Sequence, residues 1–118
     1  MFTKITYLKD AALYVETSGK LDIYSAPDYL EKIKEHLKLR YTKKLILEFS
    51  QINYVASIGL RAILELHNIM HNKKGLLTLK NVNEEILHAF KYTGFDKFLN
   101  IENDSDNEEE KAPEEQND

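Results

Sequence analysis

The chain has 118 residues, four glycines, no cysteine and a net charge of −4. A length of that order sets one domain with one hydrophobic core, and the missing thiol excludes disulfides, cysteine nucleophiles and thiolate metal sites. No apolar run approaches the roughly 20 residues of a membrane helix, and Phe2, Ile5 and Tyr7 alternate with Thr3, Lys4 and Thr6 where a signal peptide would be continuously apolar, so a soluble, cytoplasmic protein without membrane insertion is expected.

The charge is unevenly placed. From Glu102 to Asp118 there are nine acids and one lysine, a net −8, whereas residues 1–101 hold eleven acids and fifteen bases, a net +4. After Ile101 no large apolar residue remains, so residues 102–118 have nothing to bury and are expected to be a disordered acidic tail, with the compact domain spanning 1–101. Such a tail aids solubility and can shield the mildly basic body through salt-sensitive contacts. The lysines of the body are scattered along the sequence, which gives no ground for expecting direct nucleic-acid binding.

In chain order, Phe2 to Leu8 alternates as a half-buried strand, Lys9-Asp10 is a tight link, and Leu13, Val15 and Thr17 continue as an antiparallel partner. Ser18-Gly19 breaks the pattern and Lys20 to Tyr24 reads as a short extended connection. Ser25 is placed to cap a helix, with Pro27 in its first turn and Asp28 at capping-box spacing. Leu30, Ile33 and Leu37 give that helix an apolar stripe, ending near Arg40.

Leu45 to Phe49 is apolar at nearly every position, which predicts a central strand covered on both faces. A short polar link follows, then Ser57 at the start of a long helix carrying Leu60, Ile63, Leu64 and Met70. Gly75 suits the left-handed residue that closes it, with Lys73 and Lys74 complementing its negative end. Leu76, Leu77 and Leu79 form a further strand. Asn81-Val82-Asn83-Glu84-Glu85 supplies a cap and two first-turn acids for a third helix, Ile86, Leu87 and Phe90 form its apolar face, and Gly94 stops it. Phe95, Phe98, Leu99 and Ile101 supply a closing short helix or strand. The order β-β-α-β-α-β-α predicts an α/β domain with a mixed, mostly parallel sheet, helices packed on it, and an antiparallel N-terminal hairpin.

Ser57 is the residue on which function turns. A serine at a helix start serves as a cap, and the same position receives a phosphate well. Nucleophilic catalysis would need a base and an oxyanion hole, and Val55-Ala56-Ser57-Ile58-Gly59 lacks the first glycine of a nucleophile elbow; no enzyme activity is expected. Four dispersed glycines make no phosphate loop. His67 and His71 share a helix face four residues apart, but a zinc site needs a third protein ligand, so they are read as solvated, and no metal or cofactor is expected.

Three segments in order resemble the STAS family, and within it the bacterial anti-sigma factor antagonists: Gly19-Lys20-Leu21-Asp22-Ile23-Tyr24-Ser25-Ala26, Leu45 to Ser50, and Val55-Ala56-Ser57-Ile58-Gly59-Leu60. Phe90 to Phe98 is similar to the family's C-terminal helix-Gly-helix pattern. The resemblance covers residues 1 to about 101 and implies a partner-switching regulator. In the family the site reads Asp-Ser-Ser/Thr-Gly-Leu, and the serine after the aspartate is phosphorylated by a kinase that is also the anti-sigma factor. That pattern implies Ser57 as phosphoacceptor, Asp22 as the acid of the Gly-x-Leu-Asp element, and a partner surface including Ala56, Ile58, Gly59 and Leu60. Ala56 stands where the family has aspartate, and Ile58 where it has serine or threonine. The implied partners are an anti-sigma factor/serine kinase and a phosphatase. An alternative within the family is a non-phosphorylated interaction subunit of a signalling assembly or a lipid-transport ABC system.

Overall fold

The computed structural model describes residues 1–103. Strand β1 (Phe2–Leu8) turns through Asp10 and Ala11, both with positive φ, into β2 (Ala12–Leu21). Helix α1 (Ala26–Leu39), β3 (Lys44–Val55), α2 (Ser57–Asn72), β4 (Leu76–Lys80) and α3 (Glu84–Thr93) alternate after it. A single 3-10 turn, Phe95–Lys97, leads into β5 (Asn100–Glu102). The closing segment is therefore both a helical turn and a strand. The five strands lie side by side in chain order; β1 and β2 are antiparallel and all later pairs are parallel, as the alternation of elements predicts.

All three helices share one core. Leu13, Val15, Leu45, Leu47, Phe49, Leu77 and Leu79 project from the sheet into the same cluster as Tyr29 and Ile33 of α1, Ile63, Leu66 and Met70 of α2, and Ile86 and Phe90 of α3. The two-faced burial expected for β3 is not found. Leu45, Leu47 and Phe49 are buried, whereas Ile46 and Glu48 between them are half-buried on the opposite face. A half-covered strand needs apolar residues on one side only, and Ile46 made the run read as continuous. On that open face Glu48 accepts hydrogen bonds from Asn81 Nδ2 at 3.1 Å and from the Tyr14 hydroxyl at 3.3 Å. The buried stripe of α2 is Ala62, Ile63, Leu66 and Met70, and Leu64 lies beside it, half-buried.

Several local expectations shift by a residue or more. β2 does not stop at Ser18-Gly19: Gly19 takes φ +106° at an irregularity in the pairing with β3, and the strand runs on to Leu21. β3 likewise continues through the supposed polar link to Val55. Ser25 precedes α1, but its hydroxyl makes no cap; it donates to the Lys20 carbonyl at 2.6 Å and accepts from the Asp22 amide at 3.0 Å. Asn83 does cap α3, accepting from Ile86 N at 2.8 Å, and Gly94 closes it with φ 84°. Glu102, first residue of the expected tail, is the last of β5, and Asn103 Oδ1 accepts from Val82 N at 3.0 Å; the rest of the tail lies outside the described residues.

His67 is not simply solvated. It is half-buried, its ring 5.0 Å from Phe98 and 5.9 Å from His71, and burial together with the neighbouring His71 lowers its pKa. Among the described residues no three metal-ligating side chains converge.

The turn after α2 exchanges the expected roles. Lys74, not Gly75, carries the positive φ of 61°. Gly75 is required by closeness: a Cβ there would lie 2.7 Å from both the Lys43 carbonyl oxygen and Met70 Cε. Gly75→Ala is therefore expected to destabilise by about 1–3 kcal/mol in chemical denaturation, through overpacking. Phe49→Ala, emptying the centre of the core, is expected to cost about 3–5 kcal/mol by the same measurement.

Candidate functional site

The C-terminal ends of β2 and β3 build one corner of the domain. Leu21 lies opposite Val55 in the parallel register, and the next amide, Ala56 N, donates to the Leu21 carbonyl at 2.9 Å. That bond holds Ala56 extended (φ −83°, ψ 174°) and sets where α2 begins, with Leu60 N donating back to Ala56 O at 3.0 Å. Ala56 is thus the N-cap residue and Ser57 the first residue inside the helix. The sequence reading of Ser57 as a cap is corrected: the strand-to-helix bond is made by Ala56, which leaves Ser57 one position too late to cap.

The first turn of α2 rests directly on β2. A Cβ at Gly59 would approach the Leu21 carbonyl oxygen to 2.7 Å and Val55 Cγ1 to 2.9 Å, so only glycine admits this contact. Gly59 is buried, Ile58 and Leu60 are half-buried against the core, and Ser57 is exposed. Among the described residues no hydrogen bond reaches the Ser57 hydroxyl, the helix has no side-chain cap, and its first turn carries no acid. The amides that open a helix lack partners within it and carry the positive end of its dipole. Here no side chain of the helix answers either.

Asp22 directly follows Leu21, so the register brings it beside Ala56 and Ser57. Its carboxylate is engaged within its own turn: Oδ1 accepts from Tyr24 N at 3.0 Å and Ser25 N at 3.1 Å. Desolvation pushes the Asp22 pKa up, but the bonds from Ser25, Tyr24 and the Ser25 hydroxyl outweigh it and hold the carboxyl below its usual value. A depressed folded-state pKa stabilises above the unfolded carboxylate range, so this turn is at full strength at neutral pH. It loosens only as pH falls through the lower folded value.

The corner also exposes residues that motif reading passed over. Tyr24 is 87 % exposed, and Ile23 and Tyr54 are largely exposed. Lys20 pairs with Tyr54 in the register, so the end of β3 carries Tyr54 just ahead of Ser57, whereas Tyr24 lies on the side of Met1, Thr3, Asp28 and Lys32. The signal in the sequence was Ile23-Tyr24, two large apolar residues between Asp22 and Ser25 in a segment too short to bury them. On its other side, Ile58 and Arg61 of α2 face Ala26, Pro27 and Leu30 of α1 across a shallow groove of about 200 Å³. Asp22, Ala56, Ser57 and Gly59 are thus brought together, while Ile58 turns toward the groove.

The anti-sigma-B factor antagonist of Bacillus subtilis (strain 168) is 26 % identical over 89 residues, spanning 75 % of this chain and 80 % of that protein. An anti-sigma factor antagonist from Mycobacterium paratuberculosis superposes with a TM-score of 0.75 at 19 % identity, covering 86 % of this chain and 84 % of the other. The Bacillus cell fate determinant SpoIIAA in its phosphorylated form gives 0.69 at 15 % identity, covering 85 % and 90 %. The structural likenesses show the fold, and the STAS domain model matches residues 4–108. The chain belongs to the STAS domain family.

Proposed function

We propose that this protein is a partner-switching regulator of the anti-sigma factor antagonist type, acting by binding in the cytoplasm, with Ser57 as the residue whose modification releases the partner. The observation that carries the reading is the exposed, unbonded Ser57 hydroxyl at the uncapped start of α2. The antagonist relatives, one of them solved in a phosphorylated form, support it.

A phosphate on Ser57 adds about −1.5 to −2 charges and three acceptor oxygens. The open first-turn amides receive it within the domain, so the fold has no reason to change. A partner seated on Tyr54, Ile58 and Leu60 would instead meet a hydrated dianion at the edge of an apolar contact. Release therefore follows from the altered surface. The partner is an anti-sigma factor with serine kinase activity, and a phosphatase resets the state.

Ala56 favours a second reading. Without the aspartate that precedes the acceptor in the family, the site offers a kinase no adjacent carboxylate, and the Asp22 carboxylate is held by Tyr24 and Ser25. A non-phosphorylated interaction subunit would use the same corner constitutively.

Intact mass of the protein from its native host distinguishes the two. A phosphate on Ser57 that varies with growth conditions is expected, and an unmodified Ser57 under all conditions, with a stable transport complex, establishes the second reading. With the cognate kinase, Ser57→Asp is expected to weaken binding by about tenfold or more, roughly 1.4 kcal/mol, while Ser57→Ala binds at full strength in titration calorimetry. Equal affinities would remove the switch. Ala56→Asp supplies the missing cap and is expected to stabilise the fold by about 1 kcal/mol in chemical denaturation.

A further inference from the structure

At the opposite end of the sheet from Ser57, three links converge. The α1–β3 link binds the hairpin turn, with Lys43 N donating to Ala11 O at 2.7 Å and Lys44 N to the same oxygen at 3.2 Å. The α2–β4 turn joins them through Leu76 N, which donates to Lys43 O at 2.9 Å. Leu8, Ala12, Lys44 and Leu76 form one register row across four strands.

Lysines that looked scattered along the chain are gathered here. The hairpin contributes Lys9, the last turn of α1 and its link contribute Lys38, Arg40, Lys43 and Lys44, and the turn after α2 contributes Lys73 and Lys74. Against these seven of the body's fifteen cations stand Asp10 in the hairpin turn and Glu35, one turn before Lys38. Around them lie large exposed apolar residues: Leu39 at 74 % exposure and Tyr41 at 72 % where α1 ends, and Leu76 at 45 % and Leu8 at 44 % in the register row of Lys44. Arg40 covers the Tyr7 ring at 4.2 Å, which fixes the guanidinium at the edge of the patch.

We infer that this pole adsorbs to an anionic lipid surface, with the cations on the headgroups and the leucines and Tyr41 at the acyl boundary. Lysines around exposed aliphatic residues suit that interface. The acidic residues 104–118, at net −7, match the charge, but their largest apolar residue is Pro113, so they offer the leucines no apolar counterpart. Single-stranded nucleic acid wants stacking platforms in a basic groove, and solvent-facing leucines serve no part of that. The twelve residues of β3 separate the pole from Ser57 by about 35–40 Å, so adsorption leaves the corner around Ser57 facing away from the lipid.

Co-sedimentation of the full chain with vesicles tests this. Binding to vesicles of equal parts phosphatidylglycerol and phosphatidylcholine, absent with phosphatidylcholine alone and weakened by salt, is the expected result. Each lysine near such a surface contributes about a fivefold factor, so Lys43→Gln with Lys44→Gln is expected to lower partitioning by about thirtyfold, and Lys20→Gln at the far end to leave it unchanged. Leu39→Ser with Tyr41→Ser, on exposed positions that the fold does not need, is expected to lower it by about tenfold at constant charge. No binding to the anionic vesicles, an unaltered partition for either double variant, or tighter capture by polyuridine RNA at the same salt would overturn the inference.

Discussion

The bond from Ala56 N to the Leu21 carbonyl is the constraint on which the corner around Ser57 depends. It ends β3, fixes the first residue of α2, and ties that start to the end of β2, where Asp22 and the exposed Ile23 and Tyr24 follow. Gly59 sits over the same carbonyl, so the oxygen of one residue receives an amide and supports a helical turn. The position of Ser57 is consequently set by backbone atoms. A side-chain change at positions 56–58 alters what the corner displays more than where it lies.

This explains how a family site can lose a carboxylate and keep its geometry. Ala56 has no cap to offer, yet the extended conformation of an N-cap residue persists because a neighbouring strand demands it. What is lost is an acceptor for the first-turn amides and a negative charge beside the serine. Asp22 does not replace it, since its carboxylate organises the turn that carries Tyr24.

The order of elements was legible because it rests on period: alternation in Phe2 to Leu8, stripes in α1 and α3, and apolar runs bounded by Gly94 and Asn83. What period cannot show is where backbone hydrogen bonds between distant segments overrule local preference. Strand β2 passes through Ser18-Gly19 because β3 pairs with it there, and Ser25 turns back to Lys20 because the loop needs a donor more than the helix needs a cap. Gly75 is required by a Cβ clash with the Lys43 carbonyl, a constraint that leaves no trace in local sequence. The same blindness hid the cationic pole, whose members come from three links that meet only in the folded sheet. The Ser57 corner was legible in its residues, because motif order needs no coordinates, but not in the exposure of Tyr54 beside it.

The shortness of β5 has a consequence for assembly. An open sheet edge is a template for another chain, and a parallel edge on a protein this small invites strand addition. β5 offers only the three residues Asn100, Ile101 and Glu102, and the polypeptide then passes straight into a run of like charge. A second copy aligning on that edge would bring two such runs together, while at the other edge β1 carries Lys4 near its centre. Like charge beside a three-residue edge thus disfavours pairing with a second copy.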